Sequence, residues 1–121
     1  MGDVSVVEIW IEAEEIEERR DGYDDNSDVI ITLDDGSRWG ATFHSYQNIQ
    51  TLIDKNRATG ECLSGSYLWS VHMILVDRIA RDRIEAVITD LITDGTFKTA
   101  FEQLDHPDAT EPAALATRSK R

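Results

Sequence analysis

The chain has 121 residues, of which 40% are hydrophobic and 30% charged, with a net charge of −12 and one cysteine. That length fits a single domain able to bury a core without covalent staples, and a lone cysteine excludes an internal disulfide framework. The longest apolar run, Met73-Ile74-Leu75-Val76, is far too short for a membrane-spanning helix.

The charge is uneven. Residues 1–36 carry 13 acidic and 2 basic side chains, whereas residues 37–121 carry 11 and 10. An acidic first third argues against nucleic acid, whose phosphates need cations, and against an anionic membrane surface. It fits a basic protein partner. The opening Met1-Gly2-Asp3 lacks the basic and then apolar pattern of a secretory leader, so a cytoplasmic protein is expected.

In chain order, Val4 to Glu14 alternates and predicts a half-buried strand. Val7, Ile9, Ile11 and Ala13 fall on one face, and Glu8, Trp10, Glu12 and Glu14 on the other. Glu15 to Ser27 is polar and aperiodic and reads as a loop. Asp28 to His44 predicts a hairpin. A two-residue turn would set Ile31 against Gly40 and split the apolar faces. A three-residue turn, Asp34-Asp35-Gly36, sets Ile31 against Trp39 and Val29 against Ala41, with Gly36 in a left-handed position.

Ser45 reads as a helix N-cap. Tyr46, Ile49, Leu52 and Ile53 follow at helical spacing and Gly60 ends the helix. Glu61 to Ser66 is a connector that holds Cys62. Tyr67 to Val76 is apolar on both faces, which suits a central strand or one whose second face meets a partner, including a second copy of the chain. Asp82 and Glu85 have the spacing of a capping box, and Ile84, Val87, Ile88, Leu91 and Ile92 form a helical stripe. Phe97, Ala100, Phe101 and Leu104 suggest a short third helix. Residues 105–121 hold both prolines and no apolar period and read as a disordered tail. The expected fold is thus an α+β two-layer sandwich over residues 1–104. It has an antiparallel or mixed four-stranded sheet and two to three helices, in the order β-β-β-α-β-α-α.

Nothing amounts to a catalytic signature. The ingredients for thiol or imidazole chemistry are Cys62, His44 and His72, which act together only if the fold unites them. The commoner roles are a small buried hydrophobe for Cys62 and a hydrogen-bonded core histidine for His72. His44, with Ser45 and Tyr46 at a helix start, is the better-placed ligand-binding candidate. Asp24-x-Asn26-x-Asp28 resembles the first ligands of a calcium loop, with Asp35 at the last ligand position. Val29 stands where that loop needs glycine, however, and the stretch reads as a solvated turn. No metal or other cofactor is therefore expected. Glu8, Glu12 and Glu14 around Trp10 are the candidate partner-binding face. The leading expectation is an interaction module, inhibitor- or immunity-like, that uses this acidic edge. The alternative is a small-molecule or thiol/histidine site at the start of the first helix.

Overall fold

The computed structural model describes residues 5–16 and 21–104, so the expected tail at 105–121 lies outside the described residues. The chain forms β1 (Val6–Ile11), a 3-10 turn (Glu12–Glu15), β2 (Asn26–Leu33), β3 (Arg38–Ser45) and α1 (Tyr46–Thr59). These are followed by α2 (Glu61–Gly65), β4 (Met73–Val76), α3 (Arg81–Thr93), α4 (Phe97–Ala100) and β5 (Glu102–Leu104). The class is α+β, as expected. No helix among the described residues is long and apolar enough to cross a membrane.

The sheet has five strands rather than four. Its order is β1-β2-β3-β4, and β5 also pairs with β3. β1, β2 and β5 run antiparallel to their neighbours, and β4 runs parallel to β3. β4 and β5 share one edge of β3: β4 lies along Thr42 to Ser45 and β5 along Arg38 to Gly40. The fifth strand replaces the end of the expected third helix. Phe97 and Phe101 do sit four apart, but they stack on each other at 4.6 Å across a helix only four residues long. Phe101 is already extended, and the chain continues as strand.

The hairpin register is the one that keeps opposed residues on one face, with Ile31 against Trp39 and Val29 against Ala41. Gly36 takes a φ of 85° in the turn, the left-handed region that glycine enters without a Cβ penalty. The alternation of β1 is broken, because its pairing with β2 slips between Val6 and Glu8. Val6 therefore packs on the core and Val7 is exposed, the reverse of what a regular alternation predicts.

One sheet face is apolar. Val29, Ile31, Leu33, Trp39, Ala41 and Phe43 pack there against Ile84 and Ile88 of α3 and Phe97 of α4. Apart from Ala41, each such side chain contributes about 1.5–3 kcal/mol on burial. α3 begins at Arg81, with Ala80 as a cap that makes no side-chain bond. Asp82 thus lies inside the first turn and forms no capping box. It instead makes a bidentate pair with Arg78, at 3.1 Å for both bonds.

The opposite face carries Asn26, Asp28, Thr42 and His44, all buried and all polar. α1 meets this face. Its buried residues are Asn48, Leu52 and Asn56, while Tyr46 is exposed and Ile49 and Ile53 are half-buried. Helices therefore contact both faces of the sheet, and the two-layer arrangement is not established. Leu52 and Ile30 are buried outside the main core cluster, which fits their place on this second face.

After Gly60 the chain turns through α2, where Cys62, Leu63 and Ser64 all have φ between 51° and 55°. Gly65 sits so close to α1 that an added Cβ would stand 2.8 Å from the Ile53 carbonyl oxygen. The chain then returns to begin β4 beside Thr42. Of the expected strand Tyr67 to Val76, only the last four residues pair, and they form an edge rather than a centre.

Gly22 ties the acidic loop to the start of α3. Its carbonyl accepts from Ile79 N–H at 2.7 Å, and a Cβ there would lie 2.7 Å from the Ile79 oxygen. Neither backbone can move without breaking that bond. Gly22→Ala should lower stability by about 1–3 kcal/mol, read as a lower urea midpoint at unchanged slope.

Candidate functional site

The densest polar site lies where β2 begins, β3 ends and α1 begins. Ser45 caps α1, and its hydroxyl accepts from Asn48 N–H at 3.3 Å and Asp25 N–H at 3.1 Å. The same hydroxyl donates to the Tyr23 carbonyl at 2.8 Å. Ser45 N–H returns a bond to the Asp25 carbonyl.

Asn48, one turn into α1, joins the rest. Its Nδ2 donates to Asp24 at 3.1 Å, and Thr51 donates to the other Asp24 oxygen at 3.0 Å. That bond to a carboxylate fixes the amide orientation, so Asn48 Oδ1 faces the sheet. There it accepts from Asn26 Nδ2 at 2.9 Å and meets His44 Nδ1 at 3.3 Å. An amide oxygen only accepts, so His44 carries a proton on Nδ1. Asp28, two residues along β2, accepts from Thr42 at 3.1 Å.

This layer unites His44 and Ser45 with Asp24, Asn26 and Asp28. The last three do not form a calcium loop: Asn26 and Asp28 lie within β2, and their hydrogen bonds go to Asn48 and Thr42. No group of three or more His, Cys, Asp or Glu side chains among the described residues is placed to hold a metal ion. Tyr46 is on the outer surface of α1.

The thiol and the second imidazole stand elsewhere. His44 precedes the first residue of α1 and Cys62 follows its last turn. A helix of 14 residues is about 20 Å long, well beyond any thiol–imidazole contact. His72 is exposed, has a φ of 46°, and bonds through Nδ1 to the Ala100 carbonyl at 3.2 Å. The fold does not assemble the three candidates into one site.

The four residues assigned to one face of the first strand are also divided. β1 stops at Ile11 and the 3-10 turn ends its alternation. Glu12 accepts from Asp28 N–H at 3.3 Å. Glu14 turns to α3 and accepts from Arg81 at 2.8 and 2.9 Å. Glu8 and Trp10 stay together and line a groove of about 180 Å³ with Ile30, Thr32 and Arg38. A second cleft, of about 250 Å³, lies beside Glu14, Gly22, Asp25 and Arg81.

Exposed carboxylates follow the same edge. Asp34 N–H donates to the Ser5 carbonyl, which sets the hairpin turn beside the start of β1. The Ser37 hydroxyl and amide hold the Asp35 carboxyl below its ordinary range. Asp34, Asp35, Glu8, Glu14 and Glu15 thus run along a strand of six residues, about 20 Å in length.

Compared with family models, curated proteins and solved structures, the chain shows no significant match to any.

Sequence reasoning missed Asn48, Thr42 and Arg81. Asn48 and Asn56 flank Leu52 at intervals of four, and that spacing was the available signal for a polar buried stripe. Arg81 is 67 positions from Glu14, and nothing local links them.

Asn48→Ala would strip partners from Asp24, Asn26 and His44 at once. It should cost about 1–3 kcal/mol or more, and Asn48→Asp more still by setting a second carboxylate against Asp24. Chemical denaturation of both variants checks this. The Arg81 guanidinium, first by its hydrogen bond and then by its charge, holds the Glu14 carboxyl below its ordinary 4.5 despite some desolvation. A depressed carboxyl stabilises above its unfolded value and loses that stabilisation as pH falls through the folded one. Glu14→Gln should therefore cost less than about 1 kcal/mol at neutral pH, since the pair is surface-exposed. The gap from wild type should close as pH drops below 4.5 in parallel acid titrations of stability.

Proposed function

We propose that this protein is a protein–protein interaction module, inhibitor- or immunity-like, that takes a basic partner on the acidic edge formed by β1 and the β2–β3 turn. The observation that carries the reading is the groove beside Glu8 and Trp10. It has room for one long side chain, an aromatic wall for an aliphatic stem and a carboxylate for a cationic head. Lysine and arginine carry such stems and heads.

Charge supports the same partner. The exposed carboxylates along this edge attract a cationic surface before contact and speed encounter, an effect that salt screens over about 10 Å at 0.1 M. Burial of the aromatic then sets the lifetime of the complex, since anchors of this type dominate interface energy. Arg38 stands in the same cross-strand row as Glu8, beyond Thr32, so the cationic head belongs on the β1 side of the groove, away from Arg38.

The test uses the full chain as bait for basic proteins of its own host at low salt, beside Glu8→Lys and Trp10→Ala. A cognate partner should bind the wild type stoichiometrically, and each variant should weaken it by about 30-fold, as loss of a hot spot of roughly 2 kcal/mol requires. Glu8 is exposed, so Glu8→Lys tests the surface without disturbing the core, and circular dichroism verifies that the fold is kept. Equal capture by wild type and Glu8→Lys, or capture indifferent to salt, overturns the reading.

A further inference from the structure

The sheet is bounded by β1 on one side and by β4 with β5 on the other, and β1 and β4 are treated differently. β1 is guarded: a bulge interrupts it at Val7, Glu8 is charged, and Arg81 donates to the outward carbonyl of Ile9 at 2.9 Å. These are the devices that keep an edge from pairing with another chain. β4 has none of them. From Cys62 to Val76, 15 consecutive residues contain no Asp, Glu, Lys or Arg, in a chain that is 30% charged. The stretch instead exposes Leu63, Tyr67, Trp69 and Leu75, with Trp69 at 67% and Leu75 at 50%. Among the described residues, no strand pairs with the outer side of β4.

We infer that β4 pairs with β4 of a second copy of this chain, antiparallel about a two-fold axis through Leu75, to join two sheets into one. The backbone sets the register. Thr42 N–H donates to the His72 carbonyl, so that carbonyl points towards β3. Alternation then turns the N–H and C=O groups of Met73 and Leu75 outwards. A two-fold normal to the sheet keeps like faces together, so opposed residues must share parity. An axis through Leu75 meets both conditions. Leu75 exchanges two backbone hydrogen bonds with its own copy, and Ile74 stands opposite Val76 of that copy.

Charge selects a second copy over a cationic partner. A molecule with a net charge of −12 repels its copy at most orientations. The acidic edge is β1, three strands away from β4, so pairing through β4 sets the two acidic edges at the far ends of the joined sheet. The stretch from Cys62 to Val76 carries no charge for a cation to answer, and Asp77 just beyond it is already paired with Arg83 at 2.9 Å. Depletion of charge with exposed Trp and Tyr is also the composition of an interface core. This surface is opposite the groove at Glu8 and stands apart from the proposed function.

The test is the mass of the full chain by light scattering across concentrations. The expected result is twice 13.7 kDa, with Leu75→Lys shifting dimer dissociation upwards by about tenfold or more and leaving circular dichroism unchanged. A second variant tests the register. In a Cys62→Ser background, Leu75→Cys should form an intermolecular disulfide on mild oxidation, because a hydrogen-bonded antiparallel pair sets Cα atoms about 5.5 Å apart, within disulfide range. A monomer at millimolar concentration overturns the inference and leaves the flank to a different occupant. A dimer indifferent to Leu75→Lys, or one that fails to cross-link through Leu75→Cys, overturns it equally.

Discussion

The Ser45 hydroxyl is the point from which the rest of the molecule takes its geometry. A hydroxyl has one donor and two acceptor positions, and all three are used: Tyr23 O, Asp25 N and Asn48 N. Those bonds tie the loop before β2, the end of β3 and the start of α1 to one buried atom. As the cap of α1, Ser45 also fixes the rotation of the helix about its axis. Asn48 therefore faces Asn26 and His44, and the same rotation turns Leu52 and Asn56 inwards on the next two turns. It leaves Tyr46 outside, although spacing alone would put it in the stripe.

The two faces of the sheet are stabilised by different physics. Behind Phe43 and Ile31 the packing is apolar, tolerant of direction and roughly proportional to area. In front, Asn26, Asp28, Thr42, His44 and Asn48 were taken from water and gain little net energy from bonds that only replace those to solvent. What such a layer supplies is discrimination. A shift of α1 by one residue would leave several of these groups buried without partners, at a cost of roughly 1–3 kcal/mol each. The apolar face makes the chain fold, and the polar face allows α1 only one seat. That seat sets where the crossover delivers β4, parallel to β3 and at the sheet's edge.

Much of this was legible because it rests on local rules. The hairpin register follows from the demand that opposed residues share a face, which only the three-residue turn met. Ser45 and Gly60 marked α1 because a cap hydroxyl and a left-handed glycine are chemical needs of helix ends. The separation of Cys62 from His44 was also implicit, since a helix between those two signals is long enough to part them. Other features had no local signal. Phe97 and Phe101 have helical spacing, but aromatic stacking rather than a continuous helix uses it. The slip at Val7 is a property of the β1–β2 pair, invisible in β1 alone. The Glu14–Arg81 pair exists only because α3 packs beside the first strand. For the candidate site, the signal was the cap: Ser45 caps α1, and His44 beside it meets Asn48. Asn48 was passed over because a polar residue on a helix reads as solvent-facing.

Counting charge along the chain overstated the acidity of its surface. The carboxylates of the first third are divided among three tasks. Asp24, Asp25 and Asp28 accept bonds within the sheet end, from Asn48 and Thr51, from Asn26 N–H, and from Thr42. Glu14 is held by Arg81. Among the described residues, Glu8, Glu15 and Asp34 stand exposed along the edge, and Asp35 there also accepts from Ser37 N–H within the turn. Asp35 apart, the carboxylates that build the fold are thus separate from those exposed along the outer edge. Neutralising Glu8 or Asp34 costs the sheet end none of its bonds, so the outer edge can change without loosening the fold behind it. One set of acids in both places would make any substitution at the outer edge also a loss of bonds in the fold, and the division along this chain limits that coupling.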